Sequence, residues 1–527
     1  MIRNYDGHHS DVVLITLNEM EIGVRTLSSF LKGKGYSVIV GFFNDWKEND
    51  QRELTNILQW VGEINPRVIG ISSVEFSRAK AGTLIAALRK EGRVVIVGGT
   101  DITLNPEQYL TYADYAVLGE GEYALAEFLE AELKGIDNRS ILNLCYKDAN
   151  GTIVKNEMRP VITDLDLLPH EDVLDIQHHF ELRDGQVRQR QGFIMDLDYD
   201  KFKGRGLFLV TMRGCIFDCD FCSNHKINSG EKKIRIRSAA SIVARIEQLK
   251  QADPSLSILF FFDDDFFLRT IDEIKTFSAA WKSRVDLPFY IYGSPVTVQE
   301  EKLRELVDAG LIVVNMGVQS GSQRVNFDVY NRKMENRATI DAGTLLIKCA
   351  GRGRFGFLAP VYDFIINSPY DAQQDLLDTI RLFRQLPKPY FTFMHSMVLF
   401  QGTRLYEQAL RDRVISAPDT SAKYHFHDTL RHFDNLVRRK GNYYLNSLLY
   451  WMNGRHTVHR YGVVPAKLLG FLTGEATIRF FNENPGLISF LNFVLPTHKR
   501  VFNVGLKVKN SMAKCFIALG GTPVAGK

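Results

Sequence analysis

The sequence lacks the features of a secreted or membrane-spanning protein. The first residues, MIRNYDGHHSDVVLITL, do not place a basic segment before a long apolar run as a secretory signal does. The longest apolar stretches near the carboxyl terminus, such as 485–496, are too short for the ~20 residues that a membrane-spanning helix needs. These absences predict a cytoplasmic protein.

Cysteine is scarce and unevenly placed. Only 6 of the 527 residues are cysteines, and three of them are crowded into 215–222. A disulfide framework would spread its cysteines along a small secreted domain, whereas crowding in a long chain is typical of a metal or cluster site in a reducing compartment. The pattern therefore favours a metal centre.

Excess charge of one sign is confined to the end of the chain. The net charge is only +4, but residues 431–527 hold 14 Lys+Arg against 3 Asp+Glu. The rest of the chain is therefore slightly acidic. A hydrophobic content of 45% with 24% charged residues is that of a folded globular protein, and the length predicts three structural units.

Residues 11–130 alternate short β-branched runs with amphipathic helical stretches. The runs are DVVLITL, YSVIVGFF, VIGISS, RVVIVGG and YAVLG. Apolar strands that alternate with helices are typical of parallel βαβ units. The pattern predicts a Rossmann-like, doubly wound domain over 1–160, and the polar, aperiodic segment that follows predicts a linker over 161–203.

The alternation of strands and helices restarts at Gly206. Six apolar strands with intervening helices, from GLFLVTM to YFTFMHSMVLF, predict a partial (β/α)6 barrel over 204–415. The functional groups of such a barrel lie at the carboxyl ends of its strands. Residues 416–527 are rich in aromatic, apolar and basic side chains, and we expect a mainly helical region there.

The segment VTMRGCIFDCDFCSNH follows the first predicted barrel strand. It places Cys215, Cys219 and Cys222 at a C-x3-C-x2-C spacing. Three thiolates on one loop can each bind one iron of a cubane cluster and leave the fourth iron free for another ligand. A closed zinc site with His225 as the fourth ligand is the structural alternative.

The motif CIFDCDFC, with an aromatic residue before its last cysteine, resembles the signature of the radical S-adenosylmethionine (SAM) superfamily. The resemblance implies a 4Fe-4S cluster on Cys215, Cys219 and Cys222. In that superfamily SAM binds the open iron, and its reductive cleavage gives a 5'-deoxyadenosyl radical. An electron donor such as flavodoxin or ferredoxin is implied as a partner.

Three further segments resemble SAM-contacting elements of the superfamily. They are FFFDDDFFL, MGVQSGSQRV and VYDFIINSP. The residues expected to contact SAM are Asp263, Asp264, Asp265, Gln319, Ser320, Ser322 and Asn367. The alternative for the three aspartates is an acidic turn that caps the next helix. FQGTRLYEQA resembles a closing F-P-G-T element in which Gln401 replaces proline, a change expected to loosen the turn.

The first domain is similar to the cobalamin-binding domain of one branch of this superfamily. The similarity rests on VIGISSVEFSRAKAG, VVIVGGTDITLNPEQYL and ADYAVLGEGEYAL. The residues expected at the cobalamin site are Ser72, Ser73, Gly98, Gly99, Thr100, Gly119, Glu120 and Gly121. A degenerate domain with only a packing role is the alternative, and the first strand is not followed by the G-x-G-x-x-G of a nicotinamide-binding domain.

A D-x-H-x-x-G motif, which supplies a histidine to cobalt in some cobalamin proteins, is missing. The resemblance therefore implies cobalamin without a histidine beneath the cobalt. Glu75 and Phe76, just after the third strand, are expected nearest its lower face.

The basic, apolar carboxyl-terminal region suits either contact with a membrane surface or a cap over an apolar, lipid-like substrate. A plain helical cap with a solvated basic face is the alternative. Nucleic-acid binding is not expected, because no recognition module is visible.

The resemblance as a whole implies a cobalamin-dependent radical SAM methyltransferase that acts on an unactivated carbon of a small molecule. Two alternatives remain open from the sequence. The same cofactors could support an oxidative cyclase or a rearrangement enzyme, and a protein of another class could be a non-enzymatic cobalamin or metal sensor.

Overall fold

A computed structural model provides the structure of the chain. The structure describes residues 10–18, 22–48, 50–199, 202–227, 232–415, 442–453 and 466–494. Within these residues, no helix is both long enough and apolar enough to cross a membrane.

A nine-stranded sheet forms the first domain. Its strands are β1 (Val12–Thr16), β2 (Val38–Phe42), β3 (Val68–Ser72), β4 (Val94–Gly98), β5 (Tyr115–Val117), β6 (Leu144–Lys147), β7 (Ile153–Lys155), β8 (His179–Arg183) and β9 (Gln186–Gln189). The strand order is β7-β6-β5-β4-β3-β1-β2-β8-β9. Strands β1 to β5 and β8 are parallel, whereas β6, β7 and β9 are antiparallel to their neighbours.

Helices cover both faces of this sheet, because its central strands are apolar on both sides. Val12 and Leu14 of β1 belong to one buried core, and Val13 and Ile15 belong to another. The helices are Ile22–Gly33, Gln51–Ile64, Arg78–Lys90, Thr100–Leu104, Pro106–Tyr109 and Glu122–Lys134. The winding direction reverses between β1 and β3, which is where doubly wound sheets bind ligands. The predicted doubly wound fold is confirmed.

The predicted linker over 161–203 is wrong in part. Strand β8 pairs in parallel with β2, and β9 pairs with β8, so residues 179–189 extend the first sheet. Strand β9 is the edge strand and β8 lies next to it, and the charges of HFELRDGQVRQ hid both strands from a search for apolar runs.

A seven-stranded sheet forms the second domain. Its strands are β10 (Met195–Tyr199), β11 (Phe202–Leu209), β14 (Leu256–Phe261), β15 (Phe289–Gly293), β16 (Leu311–Gln319), β17 (Val361–Ile366) and β18 (Phe391–Ser396). These strands lie in that order, and all but the antiparallel β10 are parallel. The short strands β12 (Met212–Arg213) and β13 (Arg235–Ile236) pair separately.

The helices of the second domain alternate with the six parallel strands. They are Asn224–Ile227, Ala239–Ala252, Ile271–Ala280, Glu300–Ala309, Asn336–Lys348, Gln373–Gln385 and Arg404–Arg411. The predicted partial (β/α)6 barrel is therefore confirmed.

Four helices of the carboxyl-terminal region lie among the described residues. They are Tyr443–Asn453, Ala466–Leu472, Glu475–Glu483 and Pro485–Val494. The first of them packs on β18 and on the helix Gln373–Gln385. Tyr444 stacks on Phe481 at a ring distance of 4.4 Å. These helices therefore cover the last strand of the barrel, as the helical-cap alternative expects, and the remaining residues of 416–527 lie outside the described residues.

Candidate cofactor site between the two domains

A cavity of about 440 Å³ lies between the two domains. Its first wall is formed by the carboxyl ends of β3, β4 and β5. Of the residues predicted to bind cobalamin, those that line it are Ser72, Gly98, Gly99, Thr100, Gly119, Glu120 and Gly121. Ser73 lies away from the cavity, because it is buried against Tyr109 and Ser77 and hydrogen-bonds to both hydroxyls.

Gly99 shows why this wall is built from residues without side chains. Its φ is +114°, and a Cβ atom there would lie 2.5 Å from the carbonyl oxygen of Ser73. Thr103 accepts a hydrogen bond from the Gly119 amide at 3.0 Å and so ties the loops after β4 and β5 together. The wall is therefore shaped by backbone.

The second wall of the cavity is the segment that leads into the three cysteines. Met212, Arg213 and Gly214 line it, together with Asp264 from the end of β14. Gly214 has φ +97°, and a Cβ atom there would lie 2.2 Å from the Lys233 carbonyl oxygen. Close approach of β13 therefore requires glycine immediately before the first cysteine.

The cysteine loop is held by residues that are distant in sequence. Cys222 donates its backbone amide to the Cys219 carbonyl at 3.1 Å. The Phe221 ring packs on Tyr330 at 5.1 Å. Arg404 binds the Asp218 carboxylate at 2.6 Å. These contacts fix the position of the loop that carries the three cysteines.

The donor set suits an iron-sulfur cluster. Burial raises the pKa of Cys215 to about 12 and that of Cys222 to about 11, so these thiols favour the neutral form until a cation replaces the proton. Among the described residues, no three Cys, His, Asp or Glu side chains converge on a single metal ion. A cubane distributes its thiolates over three irons and does not need that convergence. The His225 side chain of the zinc alternative lies outside the described set.

Arg332 is a further charged group beside the cysteines. Its guanidinium lies 3.5 Å from the Cys219 sulfur and 5.6 Å from the Phe217 ring centre. It also donates to the Gly317 carbonyl at 2.8 Å. Arg332 therefore links the cysteine loop to the end of β16.

The three adjacent aspartates have different environments. Asp263 is buried and accepts from the Thr211 and Met212 amides at 2.6 and 2.8 Å, so it anchors the entry to the cysteine loop. Asp265 caps the turn after β14 by accepting from Phe267. Asp264 alone faces the cavity, to which it is exposed, and partial loss of water among the surrounding protein atoms raises its pKa to about 6. The capping alternative therefore describes Asp265, and the prediction of SAM binding is best supported for Asp264.

The predicted residues after β16 are partly engaged within the protein. Ser320 accepts from the Ser322 amide at 3.1 Å, and the Ser322 hydroxyl donates to Asp375 at 2.6 Å. Gln319 ends the strand with φ +70°. Asn367, at the end of β17, donates to Ser396 at 2.9 Å, while its Oδ1 atom is buried without a hydrogen-bond partner among the described residues. Gln319 and Asn367 are therefore the stronger candidates of this group.

Charged pairs join the two walls of the cavity. Arg213 binds Glu120 at 3.0 Å and Glu122 at 2.6 Å, and Arg235 binds Glu120 at 2.5 Å. Although burial opposes ionisation of Glu120, the Arg213 guanidinium holds its pKa below the ordinary value. The carboxylate of Glu120 thus bridges the domains while it lines the cavity.

Sequence reasoning missed Arg213 and two other residues of the cavity wall, and it also missed Arg235, which pairs with Glu120. Glu171 and Arg237 come from the predicted linker and the barrel, and both line the cavity. Arg237 donates to the Leu165 and Leu168 carbonyls at 2.7 and 2.8 Å. Arginines in a mixed-charge sequence carry no signal of their own; only the position of Arg213, two residues before Cys215, could have drawn attention to it.

A second contact between the domains lies outside the cavity. The Gln401 side chain accepts from Arg78 at 2.9 Å and from Gln108 at 2.7 Å. These contacts give Gln401 a role between the domains, and the expectation that it loosens its turn stays a prediction. Glu75 binds Arg78, and Phe76 packs on Phe400 at 5.9 Å. Glu75 and Phe76 do not appear in the wall of the cavity, so their predicted place beneath cobalt gains no support.

Comparison with known proteins agrees with this geometry. The family model of the B12 binding domain matches residues 12–129, and that of the radical SAM superfamily matches residues 209–398. The chain therefore contains a B12 binding domain followed by a radical SAM domain, and it is an enzyme. Its cofactors are a 4Fe-4S cluster, SAM and cobalamin. Because the chain is an enzyme, the alternative of a non-enzymatic cobalamin or metal sensor is not pursued.

Similar proteins include members with different reactions. An uncharacterized methyltransferase of Pyrococcus horikoshii is 26% identical over 403 residues, which are 75% of this radical SAM enzyme and 79% of the relative. The anaerobic magnesium-protoporphyrin IX monomethyl ester cyclase of Rubrivivax gelatinosus is 25% identical, with 62% and 57% covered. The structure of OxsB, a cobalamin-dependent SAM radical enzyme, with aqua-cobalamin bound, superposes with a TM-score of 0.64 at 15% identity over 96% of this chain and 76% of OxsB.

Proposed function

We propose that the enzyme transfers a methyl group from SAM, by way of cobalamin, to an unactivated carbon of a small molecule. The observation that carries the proposal is one cavity of about 440 Å³ among the described residues, which is lined both by residues predicted to bind cobalamin and, on the barrel side, by Asp264 and residues 212–214 just before the cysteines. A methyl group carried by one cofactor must reach a carbon from which the other cofactor's chemistry has removed hydrogen. Two separate cavities would not allow this transfer.

Different residues around the cavity would bind the different cofactors. Cys215, Cys219 and Cys222 would hold the cluster, and Asp264 would accept from the ammonium group of SAM. When bound, the cluster supplies the electron that cleaves SAM, and cobalamin supplies the methyl group. The backbone of Gly98, Gly99 and Gly119, with Ser72 and Thr100, would hold cobalamin against β3 and β4.

The proposal includes cobalamin with no histidine beneath the cobalt. None of the described residues that line the cavity is a histidine. The predicted result is a reduced cobalamin whose electron paramagnetic resonance spectrum lacks nitrogen splitting from the protein.

The experiment is an anaerobic reaction with SAM that carries a deuterated methyl group, a chemical reductant and a metabolite extract. A methyltransferase forms both 5'-deoxyadenosine and S-adenosylhomocysteine, and a product gains the deuterated methyl group in mass spectrometry. An oxidative cyclase, which the relative from Rubrivivax gelatinosus suggests as the second candidate, forms 5'-deoxyadenosine without S-adenosylhomocysteine. The second pattern would contradict the proposal.

Peripheral membrane contact is a separate proposal for the basic carboxyl-terminal region. Phe471 and Phe490 are 42% and 60% exposed, and residues 431–527 hold 14 Lys+Arg against 3 Asp+Glu. Each basic residue near an anionic surface contributes ~1 kcal/mol. Co-sedimentation with anionic liposomes that falls as salt rises would support the proposal, and equal sedimentation of a chain ending at Ile415 would contradict it.

A further inference from the structure

The parallel strands of the barrel present one face to the helices and the other to a concave interior. Phe261 of β14 and Ile291 of β15 belong to the core between sheet and helices. Side chains alternate along a strand, so Phe260, Tyr290 and Tyr292 point to the concave side.

One half of the concave face is aromatic. Phe208 of β11 lies 4.9 Å from Phe260 and 5.0 Å from Phe262, measured between ring centres. Phe260 lies 5.3 Å from Tyr290, and Phe262 lies 4.9 Å from Tyr292. The five rings form a continuous patch over three neighbouring strands, and Phe262 also reaches the cavity between the domains. We call these five rings the aromatic wall.

The other half of the concave face is polar. Asn315 of β16 is in register with Tyr292, and Asp363 of β17 is in register with Gly317, so both belong to the concave face. The His395 Nε2 atom of β18 lies 3.6 Å from the Asp363 Oδ1 atom. The His395 side chain is 39% exposed, and Phe260 and Tyr292 are half-buried, so part of this face is open to molecules from solvent.

Asn315 needs a hydrogen-bond donor that the described protein does not supply. The residue is 2% exposed, and its Oδ1 atom has no hydrogen-bond partner among the described residues. A buried acceptor without a donor is costly. A ligand that brings an N–H group to this oxygen would remove that cost, whereas an aliphatic chain would not.

We propose that the concave face binds the substrate, and that the substrate is a planar aromatic nitrogen heterocycle. Its ring plane packs on the aromatic wall, and its ring N–H donates to Asn315, with Asp363 as a second acceptor. The inference rests on the proposed function only in taking the bound ring as the molecule that is methylated. A heterocyclic substrate of this kind replaces the lipid-like substrate that the basic, apolar carboxyl-terminal region suggested.

The test is anaerobic equilibrium dialysis of enzyme loaded with cluster, SAM and cobalamin, without reductant. Indole and indene form the matched pair of probes, because they differ in shape only by the N–H group. We expect indole to bind about tenfold more tightly than indene, and laurate to bind more weakly than either. Protoporphyrin IX carries the same pyrrole N–H chemistry on a macrocycle. Tight binding of indole or of protoporphyrin IX supports the inference. The ratio of the two affinities indicates whether the face accepts a small ring system or a macrocycle.

Variants separate the two halves of the face. Asn315→Leu should lower the affinity for indole to that for indene. Asn315→Asp keeps a hydrogen-bond acceptor and should keep the preference for indole over indene. Phe260→Leu should weaken both probes, and Phe355→Leu, a change at an exposed ring, should weaken neither. Iron and cobalamin content per chain shows that each variant is folded.

Equal binding of indole and indene, tighter binding of laurate, or an unchanged preference in Asn315→Leu would overturn the inference. The assay contains no reductant and needs no turnover. Intact indole binding, together with no deuterated methyl product from the metabolite extract under reducing conditions, would therefore reject the proposed function and leave the inference standing.

Discussion

The two walls of the cavity between the domains are built in different ways. The wall from the first domain consists of strand ends and small residues such as Ser72, Gly98 and Gly119, whose backbone defines its shape. The wall from the barrel carries charged side chains, Arg213 and Asp264, and its residue Gly214 directly precedes Cys215 in the chain. One wall is suited to recognise a large molecule by shape, and the other to hold a cluster by direct ligands.

Because of this difference, substitutions in the two walls should affect cofactor binding in different ways. Loss of a ligand removes a bond to iron that no neighbour replaces. Loss of a glycine changes the shape of a wall whose other contacts remain. Damage on one wall should leave the cofactor of the other wall in place, unless the charged pairs that join the walls are broken.

The largest expected effect is that of Cys215→Ala. The variant should lose the cluster and SAM cleavage completely, because an iron would lack its thiolate. It should still take up cobalamin, since its first domain is unchanged. Iron content and cobalamin absorbance of the purified protein measure both properties. Cys349→Ala removes a buried free cysteine elsewhere and is the control; loss of the cluster in both variants would remove the assignment of Cys215.

Arg213→Met tests the junction of the walls. Arg213 pairs with Glu122, whose side chain is 5% exposed, and with Glu120. Removal of one partner from such a buried pair costs about 3–5 kcal/mol, so the midpoint of urea unfolding should fall and both cofactors should bind less well. Arg304→Met breaks an exposed pair with Glu300 and should cost less than about 1 kcal/mol. Similar losses of stability in the two variants would show that the pairs of Arg213 with Glu120 and Glu122 stabilise the protein no more than an exposed ion pair does.

Much of this architecture was predictable because it rests on local patterns. Strand alternation and the C-x3-C-x2-C spacing are local; the first predicted the central strands of both sheets, though not β8 and β9, and the second singled out the three cysteines. The roles of Asp263, Asp264 and Asp265 were not predictable, because three identical neighbours point to three different environments. The burial of Arg235 against Glu120 depends on the docking of two domains, which no local pattern encodes.

The partner of Gln401 was not predictable for the same reason. A comparison with proline at that position considers only the turn. The structure shows a side chain that accepts from Arg78 and Gln108 of the other domain. Substitutions at domain contacts carry information only when both surfaces are known.

Gly99→Ala tests the wall that is shaped by backbone. At φ +114° a Cβ atom would lie 2.5 Å from the Ser73 carbonyl oxygen, so the loop must shift at a cost of about 1–3 kcal/mol. Cobalamin uptake should fall while iron content stays unchanged, the reverse of the result for Cys215→Ala. Gly62→Ala is the control, since a Cβ atom there meets nothing within 4 Å. Normal cobalamin uptake by Gly99→Ala would contradict the assignment of this wall.

The smallest expected effect concerns the second contact between the domains, where charges are unbalanced. Glu75 and Asp101 share the single guanidinium of Arg78, in contrast to the two arginines beside Glu120 and Glu122. Burial, with the nearby Asp101 carboxylate, raises the pKa of Glu75 to about 8.

A carboxyl group whose pKa is raised on folding binds more protons in the folded than in the unfolded protein. The stability linked to Glu75 is therefore fully present below its unfolded pKa and is lost as pH rises through about 8. Glu75→Gln removes this titration, so the urea midpoint should fall less steeply from mildly acidic to alkaline pH than in the parent. Glu107→Gln is the control, because the pKa of Glu107 is lowered and its contribution is lost only in acid. Parallel pH profiles for the parent and Glu75→Gln would show that Arg78 alone neutralises both carboxylates, and the two contacts between the domains would then be electrostatically alike.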